Sequence, residues 1–243
     1  MVSTAVILAG GRGSRLAPYT TVIPKPLLPV GERPILEIVL QQLMTAGVGD
    51  VVIAVGHLAH LVQAVLGDGG AHGLRIRYHV EQEPLGTAGP LVRLDGLTDT
   101  FLMMNGDVLT DLDYRRLARA HRDADNVLTI ATHRRTVQTD YGILHTDGAV
   151  GTTQLVRGYD EKPTHSYLVS MGVYVLEPSA VAHVPPDRPY DFPELVQALL
   201  AAGERVGSFE HDGYWLDIGR QDDYEQATRD ADTVLPRLLR RLD

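Results

Sequence analysis

Val6-Ile7-Leu8-Ala9-Gly10-Gly11-Arg12-Gly13-Ser14-Arg15-Leu16 joins a short apolar run to three glycines within four positions. An apolar run without alternation, closed by Gly10-Gly11, reads as a strand buried on both faces that ends in a glycine loop. Glycine lets the backbone approach a ligand closely, so successive N–H groups can point at phosphate oxygens. The spacing is not the dinucleotide fingerprint, which counted from Gly11 requires glycine at Leu16, nor a Walker loop, which requires Gly-Lys-Ser/Thr. A glycine turn after a strand is also an ordinary chain reversal, so its neighbours decide between the readings.

Outward from this stretch, strand and helix signals alternate. Pro34 suits the first turn of a helix, and Ile35, Ile38, Val39, Leu43 and Met44 recur at helical spacing until Gly47. Strands are expected at Asp50 to Val55, Leu74 to Val80 and Phe101 to Met104. Helices are expected at Leu58 to Leu66, from Gly86-Thr87-Ala88 to about Leu94, and from Asp111 to about Asp123. This order predicts a three-layer α/β/α sandwich, Rossmann-like, on a mixed, mostly parallel sheet. After Val127 to Thr132 strand-like runs dominate, at Gly142 to Thr146, Gln154 to Tyr159 and Leu168 to Leu176, and they read as an extension of the same sheet. Helices return at Phe192 to Ala202 and Asp222 to Arg229, and the tail Val234 to Leu242 reads as a short amphipathic helix of packing or oligomer type. With no linker composition in between, residues 1–243 read as a single domain, with a nucleotide-side half over about 1–135 and an acceptor-side half over about 136–230.

Composition narrows the partners. A hydrophobic content of 44% with 22% charged residues suits a globular core, and no apolar run reaches membrane-spanning length. The start at Met1 shows no basic leader, so a cytoplasmic protein is expected. The absence of cysteine excludes disulfides and thiol chemistry. A net charge of −9 argues against nucleic-acid binding, so positive charge for an anionic ligand must be local. Of the 22 basic residues all but Lys25 and Lys162 are arginine. Coding preference is one explanation. The other is that Pro24-Lys25-Pro26 and Glu161-Lys162-Pro163 each need a compact ammonium where an arginine fork does not fit.

Gly10-Gly11-x-Gly13-x-Arg15-Leu16, then Pro24-Lys25-Pro26-Leu27 and Pro34-Ile35-Leu36, resembles the signature of the sugar-1-phosphate nucleotidylyltransferases, and the likeness runs from Val6 to about Ala227. Within that family it looks nearest to mannose-1-phosphate and heptose-1-phosphate guanylyltransferases, through Glu83-Pro84-Leu85-Gly86-Thr87-Ala88-Gly89-Pro90. The resemblance implies transfer of a nucleotidyl group from a nucleoside triphosphate, GTP first, to a sugar 1-phosphate, with Mg2+ as cofactor. It implies that the backbone of Leu8, Ala9, Gly10, Gly11 and Gly13 cradles the triphosphate, with Arg15 and Lys25 as the catalytic cations. Gln82, Gly86 and Thr87 would approach the base. Asn105, Tyr141, Gly142, Glu161, Lys162 and Gly172 would hold the sugar phosphate.

For the metal, the resemblance points to Asp107 in Asn105-Gly106-Asp107 and Asp217 in Trp215-Leu216-Asp217-Ile218-Gly219. Physical chemistry agrees: Mg2+ is held by one or two carboxylates plus substrate phosphates, and Asp107 falls just past an apolar strand, where open α/β sheets bind ligands. One departure stands out. Ser170-Met171-Gly172-Val173-Tyr174 keeps Gly172 but lacks the asparagine that many members carry just before that glycine, so no hexose contact from an asparagine is expected there. Two other classes share parts of this pattern. A glycosyltransferase needs an Asp-x-Asp pair, for which Asp111-Leu112-Asp113 is the candidate, and a non-catalytic subunit that senses nucleotide sugars needs no catalytic set. A homo-oligomer is compatible with either.

Overall fold

The computed structural model of the chain describes residues 2–239. In chain order it runs β1 (Thr4–Ala9), β2 (Pro29–Val30), β3 (Arg33–Pro34), α1 (Ile35–Thr45), β4 (Asp50–Val55), α2 (Ala59–Leu66), β5 (Arg75–Val80), β6 (Phe101–Asn105), β7 (Val108–Thr110) and α3 (Tyr114–Asp123). Then follow β8 (Leu128–Gln138), β9 (Ile143–Asp147), β10 (Leu155–Asp160), β11 (Thr164–Leu176), α4 (Pro178–Val181), α5 (Phe192–Ala201), β12 (Val206–His211), β13 (Trp215–Asp217) and α6 (Gln221–Leu238). Among the described residues no helix is long and apolar enough to cross a membrane.

The main sheet has seven strands in the order β12-β8-β11-β6-β1-β4-β5. The strands β6, β1, β4 and β5 are mutually parallel, and β11 alone runs antiparallel to both its neighbours. The sheet is therefore mixed and mostly parallel, as expected. On β1, Ala5, Ile7 and Ala9 enter one core with Val39 and Leu43 of α1, while Val6 enters the other with Leu195 and Leu199 of α5. That two-sided burial is the reason the run does not alternate. Each fully buried Ile or Leu here contributes roughly 1.5–3 kcal/mol of hydrophobic stabilisation. A third cluster joins Ile35 and Ile38 of α1 to Ala227, Ala231 and Val234 of α6, clamping the segment that carries Lys25.

Three expectations are corrected, and one strand is added. The runs around 142–146 and 154–159 do not extend the main sheet; β9 and β10 pair only with each other, in a separate antiparallel hairpin. The expected helix from Gly86 is a single 3-10 segment, Gly89–Arg93, because the Ala88 and Gly89 N–H groups donate to Tyr190 O, both at 2.9 Å. The two expected C-terminal helices are one continuous α6, and residues 240–242 of the expected tail lie outside the described residues. Strand β12 had no counterpart in the sequence reading. It adds to β8 in parallel and widens the sheet on the acceptor side.

Candidate active site

The parallel strands β1, β4, β5 and β6 all end on one edge, and their following loops meet there. The Gly106 N–H donates to Leu8 O at 2.8 Å, which fixes the turn bearing Asp107 beside the end of β1. β13 pairs with β7, with Asp217 opposite Val108, and the Ile218 N–H donates to Asp107 O at 3.1 Å. A segment more than a hundred residues away in sequence is thus laid beside Asp107 by backbone bonding, and the two candidate metal carboxylates meet.

Lys25 is brought to the same point by the Gly13 turn. Gly13 has φ 61°, and a Cβ there would lie 3.0 Å from Thr20 Cγ2 and 3.2 Å from Lys25 Cβ, so only glycine lets the loop pass this closely. The Thr20 hydroxyl donates to Gly13 O at 2.8 Å and pins the turn. The Lys25 ammonium donates to Asp107 Oδ2 in an ion pair whose side chains are 12% and 22% exposed. Asp107 Oδ1 is buried and has no hydrogen-bond partner among the described residues. Burial and then the negative charge of Asp107 push the Asp217 carboxyl above its ordinary pKa, while Lys25 and Arg15 pull it back. The exposed Arg15 extends toward Gly219, just behind Asp217.

Asp107 thus keeps one buried, unpaired oxygen, and its charge is felt by a second carboxylate, Asp217, whose pKa burial also raises. Among the described residues no three His, Cys, Asp or Glu side chains gather as a self-sufficient metal site. Two carboxylates that leave the remaining positions to phosphate and water fit Mg2+, which binds in that manner.

The loop after β5 is braced from outside. Tyr190 N–H donates to Leu85 O at 2.8 Å, Thr87 N–H donates to Asp191 Oδ1 at 3.0 Å, and Phe192 N–H donates to Thr87 Oγ1 at 2.7 Å. Within the loop Gln82 is exposed, and the inward carboxylate is its neighbour Glu81. A Cβ on Gly10 would sit 2.9 Å from Glu81 Oε1, so this carboxylate lies directly against the glycine loop. Burial raises the Glu81 pKa, opposed by the Leu85 N–H donated to it and by His79. Glu81 was not singled out from sequence, although it closes a strand that points at the glycine loop.

The acceptor residues occupy an arm made of β9, β10 and the outer halves of β8 and β11. Tyr141 is 79% exposed. Gly142 is in contact with the Tyr159 ring, and the Tyr159 hydroxyl donates to Glu161 Oε2 at 2.5 Å. Lys162 has φ 46°, a left-handed conformation that is unfavourable for a non-glycine residue preceding proline. Tyr141, Gly142, Glu161 and Lys162 are thus gathered with one another. No hydrogen bond or ion pair among the described residues ties them to Lys25 or Asp107. At the base of the arm, Gly172 has φ 73°, and a Cβ there would lie 2.7 Å from Asn105 Nδ2, which brings those two residues together.

Asp111 and Asp113 are fully committed elsewhere. Asp111 accepts from Tyr214 N–H at 2.7 Å and from Arg237 at 2.5 Å and lies 2.9 Å from His211 Nε2, and Asp113 caps α3. This removes the Asp-x-Asp pair that a glycosyltransferase reading requires.

The family model described as nucleotidyl transferase matches residues 4–233. A UTP–glucose-1-phosphate uridylyltransferase of Synechocystis is 32% identical, over 93% of this chain and 62% of its own length. A mannose-1-phosphate guanylyltransferase of Mycobacterium tuberculosis is 32% identical, over 93% of this chain and 64% of its own. The chain therefore spans less than two thirds of these curated relatives. The crystal structure of HddC from Yersinia pseudotuberculosis complexed with GMP-PN superposes with a TM-score of 0.70 at 24% identity, covering 94% of this chain and 99% of that one.

Proposed function

The chain belongs to the nucleotidyl transferase family, and from that premise we propose that it transfers a nucleotidyl group from GTP to a manno-type sugar 1-phosphate, releasing pyrophosphate. The observation that carries this reading is the Asp107 carboxylate, with one oxygen on Lys25 and the other buried and unpaired. A non-catalytic sensor has no use for such an arrangement.

In the proposed reaction a phosphate oxygen of the sugar 1-phosphate attacks the α-phosphorus of the triphosphate in line. The bond to the bridging oxygen breaks, and pyrophosphate carries away the electron pair. The attacking oxygen is already ionised near neutral pH, so no general base is needed. Asp107 and Asp217 would hold Mg2+, which supplies charge neutralisation and a template for the phosphates. The glycine loop from Leu8 to Gly13 binds the phosphates through backbone N–H groups. Lys25 stabilises charge on the reacting phosphates and Arg15 on the departing pyrophosphate, so catalysis is positioning plus electrostatics. Lys162, Glu161, Tyr141 and Gly142 hold the acceptor on the arm.

GTP is favoured because Glu81 is an acceptor-only group held against the glycine loop. Guanine offers two donors on one edge, N1–H and the exocyclic amine, to such a carboxylate. Gln82 and the backbone near Gly86 are the neighbouring contacts. Incubating the purified chain with Mg2+, GTP and mannose 1-phosphate and measuring pyrophosphate tests the reading; GDP-mannose and pyrophosphate in equal amounts are expected, and no pyrophosphate with any of a panel of triphosphates and sugar phosphates would refute it.

A further inference from the structure

Asp111 lies outside the substrate-facing set, yet it grips the segment that carries Asp217. Its Oδ1 accepts from the Tyr214 N–H at 2.7 Å, and the Asp111 N–H and the Thr110 hydroxyl donate to Tyr214 O at 3.2 and 2.9 Å. Both main-chain polar groups of Tyr214 are thus held by residues 110–111, three positions before Asp217. We propose that Asp111 is a positioning residue: it sets the register of β13 against β7 and so places Asp217 beside Asp107. The consequence for catalysis rests on the nucleotidyl-transfer reading, whereas the register does not.

This strand pair needs such a fixture. β7 and β13 have three residues each and, among the described residues, form a sheet only with one another, and a two-stranded ribbon is marginal by itself. Apolar burial does not select the register unaided: Trp215 packs on one core cluster and Leu216 on another, so both faces of β13 accept an apolar residue. A slip of one residue would turn Asp217 to the opposite face. Main-chain bonds between paired strands re-form in a shifted register, but a carboxylate fixed directly after β7 can hold only one peptide N–H of the passing segment.

The carboxylate is itself held in place. Arg237 of α6 donates to its Oδ2 at 2.5 Å, and His211 Nε2 lies 2.9 Å from its Oδ1. The turn before Tyr214 can come this close because residue 213 is glycine; a Cβ there would collide with Asp111 Oδ1. Trp215, the only tryptophan of the chain, lies on the same short strand. Its indole N–H donates to Met171 O at 3.0 Å, and the Arg135 guanidinium lies 5.0 Å from its ring centroid, so a slipped β13 would break both contacts and expose the ring.

The test reads tryptophan emission and its quenching by acrylamide with no metal or substrate present, alongside pyrophosphate release from GTP and mannose 1-phosphate across a Mg2+ titration. Asp111→Ala should red-shift the emission and lower kcat by about 100-fold, the scale of an ångström-sized misplacement. It should also raise the Mg2+ concentration for half-maximal rate by at least about tenfold, as loss of a group that orients a metal ligand does. Asp111→Asn keeps an oxygen for the Tyr214 N–H, so it should restore the wild-type emission and recover at least about tenfold of the lost kcat. Gly213→Ala, which pushes the turn off Asp111, carries the same prediction as Asp111→Ala and replaces it if that variant does not fold. Wild-type emission in these alanine variants, whatever their rate, would overturn the proposal, because any loss would then not run through the strand. An equal red shift in Asp111→Asn would overturn it too, since charge and not the bond to Tyr214 would be the cause. So would a red shift with kcat and Mg2+ dependence unchanged, because Asp217 would then not depend on the register. If the wild type releases no pyrophosphate, the emission still decides the register while the proposed transfer fails.

Discussion

At the scale of single residues the account depends on charge placed against charge. Asp107→Asn and Asp217→Asn should each lower kcat by at least about 100-fold, because each weakens neutralisation of the reacting phosphates. Circular dichroism should show both variants folded, and activity within about threefold of wild type at saturating Mg2+ would exclude that residue as a metal ligand. Glu81→Gln keeps the shape but replaces half of an acceptor-only group with a donor. It should reduce kcat/KM for GTP by at least about tenfold, or roughly 1.4 kcal/mol, while leaving the other triphosphates less affected. The Asp107, Asp217, Lys25 and Arg15 set was legible because motif and residue type coincide. Glu81 was not, since nothing in Glu81-Gln82-Glu83 says which side chain turns inward; that depends on Gly10 passing beside β5.

At the scale of elements the site is a matter of how strands and turns are clamped. Gly172→Ala meets both a left-handed φ and the Asn105 amide. It should cost about 1–2 kcal/mol, read as a lower denaturation midpoint together with reduced activity. The helix α3 is fastened through His121, which lies 2.8 Å from Thr129 Oγ1 and 3.1 Å from Glu177 Oε1. Burial holds the His121 pKa below its ordinary value despite Glu177. The unfolded chain therefore takes up this proton near pH ~6.5 while the folded chain resists it. Stability should fall as pH drops below that point and level off below the folded pKa, by at most about 1.4 kcal/mol per pH unit. Urea denaturation of wild type against His121→Gln isolates the effect, and identical pH slopes would show that His121 is not its source. The elements hidden from sequence were those whose pattern was weak. In β12, Gly207 interrupts the alternation, and in α6 the buried stripe continues through Ala227 and Ala231, too small to register as apolar periodicity.

At the scale of the whole molecule, one half of the chain supplies Lys25, Asp107 and the glycine loop, and the other supplies the arm and Asp217. β13 and the α1–α6 packing bring Asp217 and Lys25 to the end of the parallel strands. Helix spacing and the glycine stretch made the parallel core readable. The separation of β9 and β10 from the sheet was not, because nearly all their residues are exposed and the sequence pattern of a strand does not say which strand it pairs with. Lys25→Arg and Lys162→Arg keep the charge and change the shape. The first should lower kcat, and the second should raise KM for the sugar phosphate, dividing the two halves kinetically. The most direct test of the central claim is a cross of GTP, UTP, dTTP, CTP and ATP with several sugar 1-phosphates in the presence of Mg2+, read by pyrophosphate release. The account predicts pyrophosphate with a kcat/KM for GTP at least about tenfold above every other triphosphate; no pyrophosphate from any pair, with the protein folded, would contradict it.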